Sequence, residues 1–85
     1  MSVSTVILFG SDDCIPCHTL KPQVESMLRR KRVRYLYIDV NESPEEVAKY
    51  QIQTLPTAII GGLTAVVGAP NILRSLSLLP DKEDK

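Results

Sequence analysis

Asp13-Cys14-Ile15-Pro16-Cys17-His18-Thr19-Leu20-Lys21-Pro22 holds both cysteines of the chain, two residues apart. An apolar run, Val6-Ile7-Leu8-Phe9, stops just upstream at Gly10, and apolar positions at helical spacing begin just downstream. A strand, a short loop and then Cys-x-x-Cys at a helix start is the arrangement of a dithiol that cycles between reduced and oxidised forms. Free backbone N–H groups and the positive end of the helix dipole favour a thiolate at Cys14. Cys17, one turn on, is placed to share its S–H with that thiolate and later to attack a mixed disulfide. Pro16 suits the first turn, where its missing N–H costs nothing. The dipole contributes about 0.3–2 kcal/mol, up to roughly one and a half pKa units. Asp12 and Asp13 oppose it by about 0.5–1 kcal/mol each, so a moderately acidic thiol is expected.

Eighty-five residues make one domain, expected over residues 1–80 with a charged tail, Asp81-Lys82-Glu83-Asp84-Lys85, at 81–85. An apolar content of 44% with mixed charges reads as globular. The formal net charge of zero gives no reason to expect nucleic acid as a partner. No apolar run is long enough to span a bilayer. The N-terminal residues lack a basic segment and a cleavage site, so a reducing cytoplasmic setting and a monomer are expected. There a cysteine pair is catalytic or metal-binding more often than structural. As a staple it would do little: closing so short a loop gives about 2 kcal/mol, against about 3 for fifteen residues.

Thr5 to Phe9 reads as a central strand covered on both faces. Leu20, Val24, Met27 and Leu28 mark an amphipathic helix from Ile15 to about Lys31, with Pro22 inside it and Arg29-Arg30-Lys31-Arg32 closing it. Val33 to Asp39 is a second strand, parallel to the first because a helix lies between them. Ser43-Pro44-Glu45-Glu46 starts a short helix, with Ser43 as cap and Glu46 completing a capping box. Gly61-Gly62 between Thr57–Ile60 and Leu63–Val67 predicts a tight hairpin. Pro70-Asn71 opens a last helix with Ile72, Leu73, Leu76 and Leu79 on one face, ended by Pro80. The order βαβαββα makes an α/β fold, a four-stranded mixed sheet with helices on both faces.

In that order these elements resemble the thioredoxin/glutaredoxin superfamily in its short form. The resemblance rests on Cys14-Ile15-Pro16-Cys17, on Pro22 five residues later, on Tyr37-Ile38-Asp39-Val40-Asn41 with Lys49 to Thr57, and on Val67-Gly68-Ala69. It implies a thioredoxin-like fold and a small dithiol–disulfide oxidoreductase working through Cys14 and Cys17, with no bound cofactor. It further implies a cis peptide bond before Pro56, and a substrate-binding surface made by Pro16, Leu55, Pro56 and Gly68. In such a surface the Leu55 backbone pairs with an extended substrate, and Gly68 lets that backbone approach. Disulfide-containing proteins are the implied substrates. The chain departs from the thioredoxin pattern at Asp13, where a Trp is usual, and at Leu8, where a buried acid assists the second cysteine. Ser11 stands where a lysine is common, and Ala69-Pro70 replaces an acidic pair. Without those charges glutathione is expected to bind poorly, so a thioredoxin-reductase-like flavoenzyme is the favoured electron donor.

Other readings compete. A glutathione-linked glutaredoxin is one. Cys14-Ile15-Pro16-Cys17-His18 also spells the c-type haem attachment signature, though the strand-and-helix pattern leaves no place for a haem. Zinc wants four ligands, and two cysteines with one histidine supply them only across a dimer. A redox-inert interaction module on the same fold predicts that Cys14 is dispensable.

Overall fold

The computed structural model describes residues 5–79, so Pro80 and the 81–85 tail lie outside the described residues. Its elements run β1 (Thr5–Gly10), α1 (Ile15–Lys31), β2 (Arg34–Asp39), α2 (Pro44–Tyr50), β3 (Thr57–Ile60), β4 (Thr64–Val67) and α3 (Ala69–Ser77). The sheet order is β2-β1-β3-β4. β1 pairs with β2 in parallel and with β3 antiparallel, and β3 pairs antiparallel with β4.

Alternation along β1 sends Val6 and Leu8 to one face of the sheet and Phe9 to the other. The first face is covered by Leu20, Val24 and Leu28 of α1 and by Ile72 and Leu76 of α3, all essentially without solvent contact. Their three- and four-residue spacing is the apolar stripe of a helix laid on a sheet. Each such side chain contributes about 1.5–3 kcal/mol when fully buried. On the second face Phe9, Ile38 and Ile59 pack beneath Val47 and Tyr50 of α2, with Phe9 and Tyr50 in edge contact at 5.8 Å.

Both ends of α1 are explained locally. Cys14 caps its start, and Arg32 at φ 60° ends it while Val33 donates back to the Leu28 carbonyl at 3.0 Å. Arg29, Arg30 and Lys31 occupy the last turn, where cations favour the dipole. The Lys31 ammonium also donates to the Leu79 carbonyl at 2.7 Å, just past α3.

Three local expectations are corrected. Ser43 precedes α2 and Pro44 is its first residue, but no capping box forms. Ser43 sits at ψ 64°, outside the extended region usual for a cap, and its side chain makes no capping hydrogen bond, while its carbonyl accepts from the Glu46 and Val47 N–H groups. The hairpin loop is three residues, because Leu63 leaves the strand and is 92% exposed. Gly61 and Gly62 both take positive φ, and Ile60 pairs with Thr64 across them. Leu79 lies beyond the end of α3 yet still packs on the core.

The Tyr35 hydroxyl is buried without a hydrogen-bond partner among the described residues. Burial, then the charge of Glu25, hold its ionisation well above the ordinary phenol value. Glu25 approaches the hydroxyl without meeting it at hydrogen-bond geometry, and pairs with Lys21 at 3.3 Å. Tyr35→Phe is therefore expected to stabilise the protein by about 1 kcal/mol. In a domain of this size that raises Tm by about 4–8 °C. A lower Tm would mean that the hydroxyl is paired in solution.

Candidate active site

The C-terminal end of β1 delivers the chain to a turn closed by Cys14 N–H on the Ser11 carbonyl at 3.2 Å. Cys14 has extended backbone (φ −96°, ψ 106°), and its Sγ accepts from the Cys17 N–H at 3.2 Å. A sulfur in the N-cap role meets one of the four N–H groups that a helix start leaves without partners. Cys14 and Cys17 are joined as a disulfide, their Cα atoms 5.2 Å apart. Cys14 is half-buried, whereas Cys17 is 1% exposed. Ile15 and Pro16 occupy the first two helical positions, and Ile15 is 77% exposed beside the sulfurs. Asp12 and Asp13 are exposed. His18 is exposed too, its Nε2 2.7 Å from the Asp12 carbonyl oxygen.

Register places the other candidate residues at this end of the sheet. Thr57 pairs with Phe9 on one side and with Val67 on the other, so Pro56 and Gly68 follow at the level where β1 runs into the cysteine loop. The Leu55–Pro56 bond is cis, and Gly68 N–H donates to the Pro56 carbonyl at 3.0 Å. Neither the N–H nor the C=O of Leu55 has a partner among the described residues. Gly68 precedes α3 at φ 93°, a backbone conformation that side chains rarely adopt. A Cβ there would come no nearer than 3.8 Å to another atom, so backbone conformation, not crowding, requires glycine.

Crowding does govern Gly10, which sequence reasoning treated only as a strand end. A Cβ at this position would lie 2.8 Å from the Tyr37 hydroxyl and 3.1 Å from Cys17 Cβ. Glycine therefore lets α1 and β2 close on the end of β1, bringing Tyr37 to the buried cysteine. The Lys21 ammonium lies 4.8 Å from the centre of the Tyr37 ring. Burial first, then the charges of Asp39 and Asp12, push the Tyr37 hydroxyl above its ordinary pKa. Leu8 is fully buried in the core. Among the described residues no group of three or more His, Cys, Asp or Glu side chains is placed to hold a metal, and no helix is long and apolar enough to cross a membrane.

Comparison with known proteins decides the family. The family model described as Thioredoxin matches residues 2–69. The chain belongs to the thioredoxin family. It is 35% identical over 72 residues to a thioredoxin of Methanocaldococcus jannaschii, covering 82% of this chain and 85% of that one. Among solved structures it is similar to Fasciola hepatica thioredoxin, with a TM-score of 0.78 at 24% identity over 89% of this chain and 79% of that one. It is also similar to oxidised mitochondrial thioredoxin 3 of Saccharomyces cerevisiae, with a TM-score of 0.75 at 27% identity over 84% and 73%. The βαβαββα order and four-stranded mixed sheet are this family's fold. Thioredoxins are disulfide oxidoreductases that act on disulfide substrates. The Cys-x-x-Cys pair of this chain, bonded at a helix start, supplies the same chemistry.

Proposed function

We propose that Cys14 is the nucleophile and Cys17 the resolving thiol of a protein disulfide reductase. The observation that carries this reading is the difference in exposure of two bonded sulfurs, Cys14 half-buried and Cys17 1% exposed. Only the more open sulfur is placed for an incoming disulfide. The Cys14 thiolate attacks one substrate sulfur, forming a mixed disulfide and expelling the other as thiolate. Cys17 then gives up its proton, and its thiolate attacks Cys14 Sγ. The Cys14–Cys17 bond forms, the second substrate sulfur leaves, and both substrate thiolates take up protons. Two electrons have passed from the dithiol to the substrate.

The groups around the sulfurs favour an extended peptide as substrate. Leu55 offers an N–H and a C=O with no partner among the described residues, in the manner of a free strand edge. Pro56 is buried beside it, and Ile15 at 77% and Val67 at 45% exposure give the rim an apolar character. Pro16 is exposed between the cysteines, and Gly68 joins the rim through its bond to Pro56. The electrons return from a thioredoxin-reductase-like flavoenzyme in preference to glutathione, in a reducing compartment. Ser11 is buried and Ala69 and Pro70 are uncharged, so these positions present no fixed ion to the tripeptide's carboxylates or amine.

Two measurements test this. Substoichiometric iodoacetamide on the reduced protein is expected to label Cys14 before Cys17, as read by peptide mass spectrometry. Parallel re-reduction assays are expected to run faster with the flavoenzyme than with glutathione. Preferential labelling of Cys17 would reverse the assignment, and faster turnover with glutathione would reverse the choice of donor.

A further inference from the structure

Cys17 has a difficulty that Cys14 does not. It must become a thiolate to resolve the mixed disulfide, yet it is 1% exposed, and burial disfavours the charged form. Leu8, buried in the core on the strand that leads to the cysteines, has no polar group with which to help. The Tyr37 hydroxyl does. It lies 2.8 Å from the point where a Gly10 Cβ would stand, and Cys17 Cβ lies 3.1 Å from the same point. Hydroxyl and Cβ are thus no farther apart than those two distances laid end to end. The absence of a side chain at Gly10 leaves the path between them open.

Resting on the roles given to Cys14 and Cys17 above, we propose that the Tyr37 hydroxyl donates the hydrogen bond that stabilises the Cys17 thiolate during resolution. In the oxidised form Cys17 Sγ is committed to Cys14. Once that bond is open, Sγ is free to rotate about the Cα–Cβ bond, and its Cβ is the atom the hydroxyl lies near. The Cys17 proton leaves for solvent water, the phenol keeps its own proton, and the thiolate attacks Cys14 Sγ. The charged groups facing Tyr37 suit a donor and not a base. Asp39 on β2 and Asp12 in the loop disfavour a phenolate, while Lys21 on α1 holds the ring through its face.

A hydrogen bond to a charged partner is worth about one to two pKa units. Each unit that a thiol rises above the ambient pH costs tenfold in thiolate but returns about 2.5- to 3-fold in nucleophilicity, a net loss of about 3- to 4-fold. Tyr37→Phe keeps the ring and removes only the oxygen. It is expected to raise the Cys17 pKa by about one to two units and to slow resolution near neutral pH by roughly 3- to 15-fold.

The experiment is an NMR titration of the cysteine Cβ resonances in the reduced wild-type, Tyr37→Phe and Tyr35→Phe proteins. It is paired with the pH profile of mixed-disulfide resolution in single turnover. Tyr35→Phe, a hydroxyl removed from the same face of β2 farther from the cysteines, controls for packing. A rise in the Cys17 titration confined to Tyr37→Phe, with a variant that is slower than wild type near neutral pH and overtakes it once both thiols are ionised, supports the inference. An unchanged Cys17 titration, or an equal shift in Tyr35→Phe, overturns it. The titration needs no turnover, so it decides the role of Tyr37 even if the assigned order of attack at the cysteines proves wrong.

Discussion

Cys14→Ser is expected to bring disulfide reduction down to the uncatalysed rate while leaving the fold intact. Reaction at a disulfide sulfur requires a thiolate. Serine keeps the shape of the N-cap, and its oxygen still accepts from the Cys17 N–H, so the start of α1 survives the change. Its hydroxyl does not ionise near neutral pH, and Cys17, 1% exposed, is in no position to take over the first attack. An insulin-type turbidity assay reads the activity. Thermal melting of the variant beside reduced wild-type protein reads the fold, and the two are expected to coincide. Retained activity would remove Cys14 from the nucleophile's role and would favour a scaffold whose cysteines are incidental.

Cys17→Ser has the opposite signature. The first attack still runs, because Cys14 keeps its place at the helix start, but nothing remains to displace the bound sulfur. The protein is expected to accumulate as a covalent adduct with its disulfide substrate, close to one partner per molecule, and steady-state reduction is expected to collapse. Non-reducing electrophoresis and intact mass would show the adduct, and excess dithiothreitol would release it. If the adduct fails to form while Cys14 remains alkylatable, resolution by Cys17 is the wrong description of the second step. The two variants together separate attack from release, which neither does alone.

Much of the scaffold was legible because its signals are local. Val6 to Phe9 is continuously apolar as a doubly covered strand must be. Leu20, Val24 and Leu28 fall at helical spacing and are the residues α1 buries. Where the reading missed, a local cue had been outweighed. Leu63 looked like the first residue of a strand, yet two consecutive positive-φ glycines needed one more residue to turn the chain. Ser43 and Glu46 had the spacing of a capping box, but the Ser43 backbone lies outside the usual cap region and its side chain makes no cap bond.

The neighbourhood of Cys17 was hidden for a different reason. Tyr37 reaches it only through the parallel register that sets Gly10 against Asp39, and nothing along the chain states a register. A glycine ending the strand just before the cysteines, with a tyrosine two residues from the end of the next strand, was the available clue. Its meaning depended on α1 packing over both.

The bond from Lys31 to the Leu79 carbonyl joins positions 48 apart in sequence, at the pole of the molecule opposite the sulfurs. The helix that carries the cysteines is thus moored where no chemistry happens. Amide exchange along α1 would be graded, quick near Cys17 and slow toward Leu28, as befits a lever with a fixed heel.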